Sequence, residues 1–194
     1  MHLCNTIKNF GWKLAVALLV GLPIAGRGQC PTVMGILVNA CGTEALNEFV
    51  IIHSGGGFNT NELQFSFDVN NNIVGPENND INMDINNLPG GPCGLQAGDP
   101  SRITGCSNVI SIGPGFDVPA NSMVVLQTSA GATTLYDFTS ICGAGGCIYV
   151  IQSNCARSAG GFTNNGGGTR TNILATTTGC SNTYVYDLPL LLNV

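Results

Sequence analysis

The chain has 194 residues, six basic and eleven acidic, so charged side chains make up 9% of it, against roughly 25% in an average soluble domain. Six cations are too few for a phosphate-neutralising face, which argues against nucleic acid as a partner, and the lack of charged flanks excludes a coiled coil. With 44% hydrophobic residues and a mean hydropathy of +0.26, the chain also does not fit intrinsic disorder.

Residues 1–28 read as a secretory signal. Lys8 and Lys13 precede the apolar stretch 14–22, which is too short for a bilayer but right for the centre of an export signal. Small residues follow in Ile24-Ala25-Gly26-Arg27-Gly28, placing the mature start near Gln29. Gln29 before Cys30 does not suit a lipid anchor. The mature chain, residues 29–194, is expected to be a single domain with no transmembrane segment, secreted or held at the cell surface. It contains no lysine, and its three arginines (Arg102, Arg157, Arg170) face eleven carboxylates, a formal charge of −8.

Export also changes the reading of the cysteines. Cys4 leaves with the signal, and the remaining eight are Cys30, Cys41, Cys93, Cys106, Cys142, Cys147, Cys155 and Cys180. An even count in an exported chain reads as a disulfide framework rather than zinc knuckles. Closure over short loops favours Cys93–Cys106 and a bridge within Cys142, Cys147 and Cys155.

In chain order the mature sequence shows strands and no helix. Apolar runs at 33–38 and 48–53 each stop at a turn cluster, the second at Ser54-Gly55-Gly56-Gly57. Residues 62–69 alternate polar and apolar without a slip, the signature of a strand with one face on a core. A weaker alternation at 81–85 precedes a Gly- and Pro-rich stretch, 88–105, expected to be a loop. Further strands are predicted at 108–112, 122–127, 147–152, 171–175 and 183–186, with 135–138 either a strand or a turn. The glycine-rich 159–168 is predicted to be a flexible surface loop. Short strands between turn clusters point to an all-β antiparallel sandwich with long Gly/Asn-rich loops.

The stretch from Ile36 to Gly55 resembles the opening of a lamin-tail-like domain. It has a strand ending in Asn39, a polar turn, then Asn47-Glu48 before the aromatic-led strand Phe49-Val50-Ile51-Ile52-His53 and a glycine turn. Val118-Pro119-Ala120-Asn121-Ser122 resembles that family's approach to a following strand. Cys147-Ile148-Tyr149-Val150 and Gly161-Phe162-Thr163-Asn164 are similar to a subgroup found in exported proteins of gliding, surface-colonising bacteria. The resemblance implies an Ig-like sandwich of adhesive, scaffold or accessory binding role, with other extracellular or surface proteins as partners. It implies no catalytic residues.

Candidate chemistry is thin. His53 is the only histidine after the signal, and a cysteine-nucleophile set would need it beside Cys41 and Asp68. No Gly-x-Ser-x-Gly elbow is present, and without lysine the glycine loops cannot be a nucleotide-phosphate loop. No cofactor is expected. The one speculative ligand set is calcium on Asp68, Glu77, Asp80 and Asp84, hard oxygen donors that lack EF-hand spacing and otherwise read as a solvated Asn-rich loop. Tyr136, Tyr149, Tyr184 and Tyr186 offer rings for glycan stacking, or else pack at sheet margins. A calcium- or carbohydrate-dependent binding domain is therefore the alternative to the adhesive module, and a small extracellular hydrolase a more distant one.

Overall fold

The computed structural model describes residues 28–38, 46–66, 94–142, 147–153, 162 and 168–191. Among them the protein is all-β, and the helical turns are three-residue 3-10 turns at Thr60–Glu62, Pro100–Arg102 and Leu188–Leu190. The strands are β1 (Thr32–Leu37), β2 (Phe49–His53), β3 (Phe58–Asn59), β4 (Leu63–Ser66), β5 (Leu95–Ala97), β6 (Ile103–Thr104), β7 (Val109–Ser111), β8 (Asp117–Val118), β9 (Met123–Gln127), β10 (Tyr136–Asp137), β11 (Ile148–Ser153), β12 (Thr169–Thr176) and β13 (Ser181–Asp187).

The larger sheet runs β1-β2-β9-β11-β5, with β7 also pairing β11. Its side chains divide by parity. Val50, Ile52, Val124, Leu126, Tyr149 and Ile151 point one way, into a cluster shared with Leu63, Phe65, Leu174, Tyr184 and Tyr186 of the second sheet, β13-β12-β4. Phe49, Ile51, Met123, Val125, Ile148 and Val150 point the other way, into a cluster with Ile103, Tyr136 and Phe138. Two faces are thus covered, which is why β9 and β11 read as unbroken apolar runs. Each such fully buried Val, Leu or Ile contributes about 1.5–3 kcal/mol.

The all-antiparallel expectation does not hold. β9 and β7 both pair β11 in parallel, and β10 pairs β6 in parallel. A parallel neighbour needs a long crossover, and residues 128–147 between β9 and β11 provide one. The stretch 88–105 is not simply a loop either: β5 and β6 lie within it. β5 is fixed by pairing with β11, and its neighbourhood by buried Gln127. The Gln127 Nε2 donates to the Asp99 carbonyl at 3.0 Å and its Oε1 accepts from the Asp99 N–H at 2.9 Å. Within 135–138, the two residues Tyr136–Asp137 form a strand, β10.

In the glycine-rich 159–168, expected to be a flexible surface loop, the described Phe162 departs from that expectation. Phe162 is buried, stacks edge-on against Phe65 and Tyr186, and donates its N–H to the Glu48 carboxylate at 3.1 Å. The weak alternation at 81–85 lies outside the described residues.

The Asn47-Glu48-Phe49 triplet is an anchoring point. Asn47 is buried, and its Oδ1 accepts from the N–H groups of Thr133 and Thr134 at 2.8 and 3.0 Å, while its carbonyl accepts from the Tyr136 hydroxyl. The Glu48 carbonyl takes both the N–H and the hydroxyl of Thr128. Phe49 packs against Tyr136 and Phe138. Three consecutive residues therefore hold the stretch 128–138, and Glu48 also holds Phe162.

The two sheets are also joined at one margin, between β1 and β13. Cys30 is bridged to Cys180, Asn182 Nδ2 donates to the Pro31 carbonyl at 2.8 Å, and the Val33 N–H donates to the Tyr184 hydroxyl at 2.8 Å. These rungs close an edge that has no lysine to discourage strand addition.

Candidate functional site

The second sheet carries the clearest surface feature. Alternation sends Arg170, Asn172, Leu174 and Thr176 of β12 inward, where all are buried. The opposite parity builds an outward face from Ser181, Thr183 and Val185 of β13, Thr171, Ile173 and Ala175 of β12, and Gln64 and Ser66 of β4. The registers place Thr183 beside Ile173 and Ile173 beside Ser66, so the three rows form one continuous lattice. None of these side chains carries a charge; the row ends at Asp187, the carboxylate of the same parity, paired with Thr169. Ser181, Thr183 and Val185 are exposed, Val185 at 62%.

The distribution of cations sharpens the charge argument. Arg170 is buried, and Arg102 is paired with Asp99 at 3.0 Å. Arg157 lies outside the described residues. Neither Arg170 nor Arg102 is therefore displayed as part of a basic patch. Asp99 caps the 3-10 turn at Pro100–Arg102. The Ser101 hydroxyl and N–H, with the Arg102 guanidinium, hold its carboxyl below the usual carboxylate range against a smaller opposing effect of burial. Asp137 is likewise lowered, by the hydroxyl and N–H of Thr139.

A cleft of about 390 Å³ opens at the end of the large sheet, lined by His53, Asn121, Ser122, Met123, Cys142 and Tyr149 among others. His53 ends β2, and its Nδ1 accepts from the Gly55 N–H at 3.2 Å. That bond directs one ring nitrogen at its own turn. Asn121 adopts the left-handed conformation, φ 58°, in the turn before β9, where its N–H donates to the Gly55 carbonyl. Cys41 and Asp68, the imagined partners of His53, lie outside the described residues, as do all four speculative calcium ligands, Asp68, Glu77, Asp80 and Asp84. Among the described residues no group of three metal-ligating side chains converges.

The disulfide expectations are corrected in part. Cys106 is bridged to Cys142, not to Cys93. The parallel pairing of Ile103 with Tyr136 and Thr104 with Asp137 carries the two chains onward side by side, so tertiary pairing outweighs closeness in sequence. Cys142 is thereby removed from any bridge with Cys147 or Cys155. Cys147 packs half-buried at the start of β11, and Cys41, Cys93 and Cys155 lie outside the described residues. Two disulfides fit an oxidising compartment. No described helix is long and apolar enough to cross a membrane.

The tyrosines are not a stacking platform. Tyr184 and Tyr186 face inward, Tyr149 is buried against Phe116, and the Tyr136 hydroxyl is bonded to Asn47. The alternation that turns Tyr184 and Tyr186 inward also defines the opposite face, Ser181-Thr183-Val185, which sequence reasoning did not single out. The chain matches no family model, no curated protein and no solved structure.

Proposed function

We propose that this is a secreted or surface-attached, non-catalytic adhesive or scaffold module, built as an Ig-like sandwich similar to lamin-tail-like domains, whose partners are other extracellular or surface proteins. The observation that carries the reading is the outer lattice of β13, β12 and β4, uncharged from Ser181 to Val185, with Val185 exposed in its β13 row. An uncharged face of hydroxyls and small apolar groups loses little hydration when covered, and it needs no counter-charge on the partner. The inter-sheet bridge Cys30–Cys180 supports a role outside the cell. Asn47-Glu48-Phe49, part of the stretch on which the resemblance rests, anchors residues 128–138 and Phe162 in this chain.

The test is retention of the purified protein on washed cells of its source, followed by sedimentation. Replacing Thr183 and Val185 together by Glu places two charges on the lattice without touching the core. Retention is expected to fall to background with an unchanged melting temperature. Equal retention of variant and parent would remove this face as the adhesive surface.

A further inference from the structure

The chain just after the signal is held in place up to its first residues. Gln29 accepts at its carbonyl from the Gly56 N–H at 2.6 Å. Gly55, at φ +59°, lies so close that a side chain there would strike that carbonyl. Cys30, Pro31 and Val33 are then fastened to Cys180, Asn182 and Tyr184. Residues 28 and 29 are themselves exposed, at the mouth of a groove of about 450 Å³ between the glycine turn and the β12–β13 hairpin.

The sequence supplies a cut at this point. Gly26 and Gly28 stand three residues and one residue before the bond to Gln29, the small-residue pattern that signal peptidases read. Cleavage there leaves glutamine with a free α-amine. Such an amine has a pKa of about 7.7–8.0, so a useful fraction is unprotonated at neutral pH.

We propose that Gln29 is a modification site: the new N-terminus closes to a pyroglutamyl ring, and the mature chain then carries no primary amine. The α-nitrogen attacks Cδ of the side-chain amide and forms the lactam C–N bond. The Cδ–Nε2 bond breaks, and Nε2 leaves as ammonia with the proton the α-nitrogen gives up. No oxidant or co-reactant is consumed. The hydrogen bond from Gly56 uses the carbonyl of residue 29, which the ring leaves untouched, so the docked N-terminus is compatible with the modification. The last lysine is Lys13, so the α-amine is the one primary amine that cleavage after Gly28 would leave. Ring closure also denies aminopeptidases a free end one residue from the Cys30–Cys180 bridge.

This inference rests on the export reading of residues 1–28, and the experiment separates the two. Protein isolated from its native source is denatured, reduced, treated with an amine-reactive biotin ester, and cleaved after arginine. The N-terminal peptide 29–102 is then weighed. The expected result is a peptide lighter by one ammonia than the open sequence, with no biotin on the protein. A peptide of full mass carrying one biotin overturns the ring closure and leaves export standing. Biotin on Lys8 or Lys13 shows a retained leader, and a peptide beginning at another residue shows a different cut. Either of these overturns the assignment of Gln29 as the N-terminus. The Gln29→Ala chain, if cut at the same bond, must take up one biotin.

Discussion

Removing the Cys30–Cys180 bridge tests how the two sheets are held together. The cysteines are separated by 150 residues, and the chain-entropy relation for a loop of that size gives about 5 kcal/mol. Shortening the loop by the 36-residue span of the Cys106–Cys142 bridge changes the logarithm little, and the figure stays at about 5 kcal/mol. Measured bridges usually fall below this ceiling, at about 2–4 kcal/mol. For a chain of this length each kcal/mol moves the melting temperature by about 2–4 °C, so Cys30→Ala/Cys180→Ala should melt some 5–15 °C lower. Changing both cysteines avoids a leftover thiol that could exchange with the other bridges. The assay is calorimetry without reductant, with circular dichroism to confirm that the strand signal is retained below the transition. A decrease of less than about 2 °C would show that the β1–β13 margin is closed by its hydrogen bonds and apolar packing alone, and the entropic argument would fail.

Three further outcomes follow from the packing and the charges. Asn47→Ala leaves the Thr133 and Thr134 N–H groups without their acceptor, at about 1–3 kcal/mol each, and should lower the urea midpoint with little change in slope. Phe162→Ala removes a buried ring that contacts Phe65 and Tyr186, and should cost about 3–5 kcal/mol by the same measurement; a neutral result would mean the 159–168 segment is not anchored. For Asp99, whose folded pKa lies below its ordinary value of 3.8, the stabilisation is fully present above that value and is lost as pH falls through the folded one. The melting temperatures of wild type and Asp99→Ala should therefore differ at neutral pH and converge in acid, and a constant gap would refute the assignment.

The strands that were legible are those whose own residues decide their environment. The alternation beginning at Leu63 marks β4 because one face meets Phe162 and Leu174 and the other does not. The apolar runs of β9 and β11 are legible as strands, but their direction is not, because parallel and antiparallel partners bury the same side chains. β5 and β6 are invisible in 88–105 because their stability comes from elsewhere: β11, β10 and the amide of Gln127. The Cys106–Cys142 bridge is hidden for the same reason, since it follows from the pairing of β6 with β10. Phe162 was masked by its glycine-rich surroundings, although a lone aromatic in such a stretch is itself a sign of anchoring. At the candidate surface, composition gave the scarcity of charge but not its placement; only the fold shows Arg170 turned inward and Arg102 paired.

That placement divides the work between the sheets. The large sheet has apolar residues on both faces and uses them in two separate clusters, so among the described residues it offers a partner only its margins and the cleft beside His53. The second sheet covers one of those faces and turns its own other face outward, in register and uncharged but for Asp187 at one end. A charged outer face would keep neighbours away, as lysines do on many exposed sheets. Here repulsion is left to the chain's net negative charge, which acts over about a Debye length and not at the lattice itself. Two like-charged copies are therefore discouraged from stacking face to face at low salt, while a neutral surface is not. If the lattice is adhesive as proposed, retention on cells should survive or rise with added salt, in contrast to a basic binding face, whose hold weakens steeply under the same conditions.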